Sequence, residues 1–157
     1  MAMFSFFIVL MLCVSLGGTS QTFGTPEYIC GEEITVNPAQ PGVLSSPNFP
    51  MNYPNNANCT WVLCSSNPTW KITIEFTILI IERDFNCDSW DRVTINDGRF
   101  IGPGNLGIFC GDLFCSGYQQ GFYPFDKIIS EGPCVTINFC SDFIITRPGF
   151  QLNYAAA

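Results

Sequence analysis

No histidine occurs among the 157 residues. That absence removes the Ser-His-Asp and Cys-His nucleophile systems and every His-ligated zinc site. Basic residues are also scarce: six Lys and Arg stand against thirteen Asp and Glu, for a formal net charge of −7. Such a surface repels nucleic acid and anionic membranes, and no Lys/Arg cluster contradicts it. Charged residues of both signs make up only 12%, against 47% hydrophobic residues. A disordered acidic chain is thereby excluded, and enough apolar material remains for one core. No two cysteines are spaced as CxxC, which argues against zinc. No segment carries a helical 3.6-residue period.

One long apolar run is present, from Met1 to Leu16. It is short for a membrane span. Gly17, Gly18, Thr19 and Ser20 follow it, and small residues there suit signal peptidase. Residues 1–20 are therefore expected to be a removed signal peptide, 21–29 a short leader and 30–157 a single domain. The expected product is secreted and extracellular, without a membrane span. Cys13 leaves with the signal peptide, and eight cysteines remain: Cys30, Cys59, Cys64, Cys87, Cys110, Cys115, Cys134 and Cys140. An even number in a small secreted domain points to a disulfide framework.

The rest reads as strands. Ile72, Ile74, Phe76, Ile78 and Ile80 alternate with Thr73, Glu75 and Thr77, the period of a half-buried strand. Shorter strands are expected at 59–64, 92–96, 106–110, 127–130, 134–140 and 150–154. Asp97-Gly98 is a hairpin-type turn signal. Residues 37–56, rich in Pro, Asn, Ser and Gly, are expected to be loop and turn. Many short strands with Gly/Pro turns give an all-β sandwich or barrel.

An ordered series of motifs then resembles the CUB domain family. It begins with Ser46-Pro47-Asn48-Phe49-Pro50, Tyr53-Pro54 and Cys59-x-Trp61. Ile80-Ile81-Glu82, Cys87, Trp90-Asp91-Arg92-Val93-Thr94-Ile95 and Asp97-Gly98 follow. Leu106-Gly107, Phe109-Cys110-Gly111, Ser130-Glu131-Gly132, Ser141-Asp142, and Gly149-Phe150 with Tyr154 complete it. The resemblance implies a two-sheet antiparallel β-sandwich of jelly-roll-like type, stapled by disulfides Cys30–Cys59 and Cys87–Cys110. Each would contribute about 3–4 kcal/mol by restricting the unfolded chain.

Cys64, Cys115, Cys134 and Cys140 lie outside the common four-cysteine pattern. Cys134 and Cys140 share one expected strand, roughly 20 Å apart at about 3.3 Å per residue, and cannot pair with each other. Two connectivities remain, and Cys64–Cys134 with Cys115–Cys140 is the one taken as the expectation.

The resemblance also implies a Ca²⁺ site at one end of the sandwich, with Glu82, Asp91 and Asp142 as ligands and Tyr53 in support. The chemistry suits the residue types, because Ca²⁺ takes six to eight hard oxygens. Two departures stand out. Cys87-Asp-Ser-Trp-Asp91 holds one residue more than the family's Cys-x-Tyr-Asp, so Asp91 is at risk of displacement. Phe143, Ile144 and Ile145 follow Asp142 where small polar residues are usual. Asn58-Cys59-Thr60 is an N-glycosylation sequon. Residues 112–126 form a longer, aromatic-rich insertion.

The implied function is a secreted, non-catalytic module that binds an extracellular protein or a glycan. Ca²⁺ would act through an acidic site able to accept a partner's Lys or Arg. A durable, disulfide-rich structural or defence secretion without one defined ligand is the alternative. No catalytic residue is assigned.

Overall fold

The computed structural model describes residues 28–84, 87–89, 91–112 and 126–157. The expected signal peptide, most of the expected leader, Trp90, and Cys115 with most of the aromatic insertion lie outside the described residues. Ten strands are described: β1 (Tyr28–Cys30), β2 (Glu33–Val36), β3 (Gly42–Ser45), β4 (Ala57–Ser65), β5 (Ile72–Ile80), β6 (Arg92–Asp97), β7 (Asn105–Phe109), β8 (Ile128–Ile129), β9 (Cys134–Cys140) and β10 (Gly149–Ala156). One sheet runs β1-β4-β9-β6-β7, with β2 also on β4; the other runs β3-β10-β5-β8. The fold is the expected two-sheet sandwich.

Its first edge differs from the antiparallel expectation. β1 and β2 both pair parallel to β4, on Ala57–Cys59 and Val62–Ser65. They form one broken strand, which brings Tyr28 and Ile29 of the expected leader into the sheet. The break falls at Gly31, where φ is +115° and an added Cβ would lie 1.8 Å from the Thr60 carbonyl oxygen. Only glycine fits this approach. β3 lies within the stretch expected to be loop, because four residues suffice to pair with β10. The Asp97-Gly98 hairpin is wider than its signal suggested, with residues 98–104 joining β6 to β7. The half-buried Asp97 instead accepts the Glu131 N–H at 2.7 Å.

The alternation of β5 breaks for a local reason. Ile72, Ile74 and Phe76 are buried, but so are Leu79 and Ile81, while Ile78 and Ile80 are only half-buried. Gln151 of β10 pairs with Ile78 and Leu152 with Phe76, leaving Thr77 as an extra residue. This β-bulge switches the side that faces the core.

Aromatic rings join the sheets. Phe150 of β10 meets Trp61 of β4 at 6.1 Å, Phe139 of β9 at 5.6 Å and Phe76 of β5 at 6.2 Å between ring centroids. The edge-on geometry suits the ring quadrupoles. Three disulfides are found among the described residues: Cys30–Cys59, Cys64–Cys134 and Cys87–Cys110. The first two join residues directly opposite in the sheet register. Cys140 is also disulfide-bonded; its expected partner Cys115 lies outside the described residues.

Phe150 is fully buried where both sheets meet. Phe150→Ala is therefore expected to lower unfolding stability by about 3–5 kcal/mol. Urea unfolding followed by fluorescence would read this as a lower midpoint with an unchanged slope.

Candidate metal centre

One end of the sandwich gathers acids from three parts of the chain. Glu82 follows β5, Asp91 precedes β6 and Asp142 follows β9. One carboxylate oxygen from each lies within 4.8 Å of the others. Glu82 and Asp91 are buried, and Asp142 is half-buried.

Tyr53 organises the cluster from below. Its ring is buried edge-on against Phe139 at 5.0 Å. Its hydroxyl donates to Asp91 Oδ2 and accepts the Glu82 N–H at 3.0 Å. The Asp142 N–H donates to the other Asp91 oxygen at 2.7 Å. The Ile144 N–H donates to Asp142 Oδ1 at 2.9 Å. Glu82 Oε2 is buried and has no hydrogen-bond partner. An orphaned, buried carboxylate oxygen beside two further carboxylates is costly unless a cation joins them. The donor set is all oxygen, which fits a hard cation such as Ca²⁺ and not a soft metal.

The extra residue between Cys87 and Asp91 does not displace Asp91. Just before it Cys87 takes a left-handed φ of +56°, and Asp84 Oδ2 accepts the N–H groups of Asp88 and Ser89 at 3.0 and 2.8 Å. Asp88 itself points to solvent and stays out of the cluster. Arg147 was missed in the sequence; its guanidinium partly offsets the repulsion felt by Glu82. Asn58 lies inside β4, between β1 and β9, and its side-chain oxygen accepts from Asn138 Nδ2 at 3.2 Å. That is a strand interior, unlike the surface loop a sequon usually marks.

The acidic end can be compared with known proteins. The CUB domain family model matches residues 30–154. The chain belongs to the CUB domain family. Human neuropilin-2 is 30% identical over 134 residues, covering 85% of this chain and 13% of neuropilin-2. The CUB1-EGF-CUB2 domains of rat MASP-1 superpose with a TM-score of 0.66 at 23% identity, covering 80% of this chain and 43% of that one. The MASP-1 CUB2 domain, in a crystal structure bound to Ca²⁺, gives a TM-score of 0.55 at 21% identity, covering 82% and 96%. This CUB chain therefore spans a small part of the full-length relative it matches.

Burial drives the ionisation of the cluster in one direction. Desolvation, partly offset by the Tyr53 hydrogen bond, pushes Asp91 up to about 6. Glu82 is raised by desolvation and by the neighbouring Asp91 and Asp142 charges. Burial, then the bond to Asp91, raises the Tyr53 hydroxyl well above its usual value, so it stays a protonated donor. A carboxyl whose pKa is higher folded than unfolded favours folding below its unfolded pKa and loses that advantage as pH rises through the folded value. In EDTA the melting temperature is thus expected to fall between pH 4 and pH 7. For Asp91 alone the loss is about 3 kcal/mol. Calorimetric melts across this range check it, and Asp91→Asn should flatten the profile.

Proposed function

We propose that this chain is a secreted, non-catalytic binding module that recognises an extracellular protein through a Ca²⁺-loaded carboxylate site. Glu82, Asp91 and Asp142 would hold the ion, with Tyr53 orienting Asp91. A bound Ca²⁺ would supply the positive charge that lets three carboxylates share one place.

The unpartnered Glu82 Oε2 carries this reading. A structural secretion lacking a ligand gains nothing from burying like charges, which weaken the fold. The Ca²⁺ in the MASP-1 CUB2 structure supports the choice of ion through likeness of fold. Disulfides and the small-residue site after the N-terminal apolar run support secretion. Among the described residues no helix is long and apolar enough to cross a membrane.

The chain's own residues then set what a partner meets. Asp91 is fully buried and spends its oxygens on Tyr53 and the Asp142 backbone, so it orders the site. Asp142, half-buried at the surface, is the carboxylate a partner's Lys or Arg would reach. The net charge of −7 favours approach of a basic surface.

Calorimetric titration of the metal-free protein with CaCl₂ tests the site. We expect one site with a Kd of about 10⁻⁴ to 10⁻³ M, the range of extracellular Ca²⁺ modules, and a higher melting temperature with Ca²⁺ at pH 7.4. Glu82→Gln and Asp142→Asn should each weaken binding about tenfold or more. Unchanged Ca²⁺ affinity in both variants would sink the assignment.

A further inference from the structure

The loop after Asp142 carries exposed apolar side chains that metal binding does not require. Phe143, Ile144 and Ile145 are 66%, 48% and 50% exposed, and Met51 on the adjoining loop is 73% exposed. Hydrogen bonds lace the two loops together. Asn52 Nδ2 donates to the Thr146 carbonyl at 3.1 Å, and Asn55 Nδ2 donates to the Phe143 carbonyl at 2.9 Å. The N–H groups of Tyr53 and Asn56 donate to the carbonyls of Arg147 and Asp142 at 3.0 and 2.6 Å. The apolar side chains thus stand on a fixed support shared with Tyr53 and Asp142. Scattered exposed apolar residues are ordinary, but three in succession on a held loop are a patch.

Ile145 supplies an independent observation. Its φ is +52°, in the left-handed region that a β-branched residue strongly disfavours. Ile145 is half exposed, so burial of an apolar side chain does not by itself call for a β-branched residue at this angle. Strain of this kind concentrates where a side chain is presented to a ligand.

We propose that Phe143, Ile144 and Ile145 form an apolar rim to the carboxylate site. The rim selects a protein segment whose Lys or Arg has a bulky aliphatic or aromatic residue within a few positions. This rests on the reading of the site given above. The occupant follows from charge: carboxylates and a net charge of −7 draw a cationic segment and repel an anionic lipid surface, and the rim covers its apolar neighbour.

The test is selection from a random dodecapeptide library on phage, panned against the secreted chain in CaCl₂ and in EDTA. Calcium-dependent winners are expected to pair a basic with a large apolar residue. Phe143→Ser should weaken the synthetic winning peptides about fivefold or more, with Ca²⁺ affinity within about twofold by calorimetry. Ile145→Asn, which suits a left-handed backbone, should raise the melting temperature by about 2–4 °C and still weaken those peptides. Winners that are basic without an apolar preference, or variants that bind them unchanged, overturn the rim and leave the site standing. Lack of calcium-dependent enrichment, or of Ca²⁺ binding by the wild type, overturns both. Binding to phosphatidylserine vesicles that Phe143→Ser abolishes, without peptide selection, assigns the loop to a membrane and overturns the proposal.

Discussion

The hydroxyl of Tyr53 is the joint between the apolar sandwich and its acidic end. On one side the ring belongs to the core, edge-on to Phe139, which in turn meets Phe150. On the other side the hydroxyl bridges the carboxylate of Asp91 and the backbone of Glu82. A phenol suits this place because it donates to an anion and accepts from a backbone N–H while its ring stays dry. Burial keeps it protonated. The acidic end therefore inherits its geometry from the core, and a shift in core packing would be felt at the carboxylates.

The motifs read from the sequence turn out to be the residues that hold loops at their anchor points. Ser46 Oγ accepts the Phe150 N–H at 3.0 Å, and an added Cβ at Gly149, where φ is +97°, would lie 1.8 Å from that oxygen. Ser141 Oγ donates to the Pro54 carbonyl and accepts the Ala57 N–H. These are one-to-one fits of residue type to place, so they leave a legible mark. β1, β2 and β3 leave a fainter one. They are edge strands of three or four residues, too short for a periodic signal. The bulge at Thr77 was hidden for another reason. β-branched residues line both faces of β5, and only the pairing with β10 decides which face turns inward.

At the site, residue types were legible and distances were not. Glu82, Asp91, Asp142 and Tyr53 could be named from motif order, but the extra residue before Asp91 made its position doubtful. Asp84 holds the N–H groups of Asp88 and Ser89 ahead of it. The strand starting at Arg92 keeps its register with β9, where Arg92 pairs with Cys140. Asp91 is consequently fixed by the sheet and not by the loop before it. Arg147 could not be found in advance, since nothing in its neighbours signals that loop 142–147 folds back along residues 52–56.

The same logic explains why the loop after Asp142 can be apolar without loss of the acidic end. The backbone N–H groups of Asp142 and Ile144 make the required contacts, to Asp91 and to Asp142 respectively. Neither contact asks anything of the side chains at 143–145. Those positions are free to carry residues chosen for what lies outside the fold, and solvent exposure of apolar groups lends the isolated domain no stability. The buried, like-charged carboxylates and the left-handed Ile145 both act against stability as well. All of these sit at one end, while the far larger aromatic core and the cross-strand disulfides lie in the body of the sandwich. A stable body thus carries a strained, unsaturated tip, which is the distribution expected where binding and not folding has set the residues.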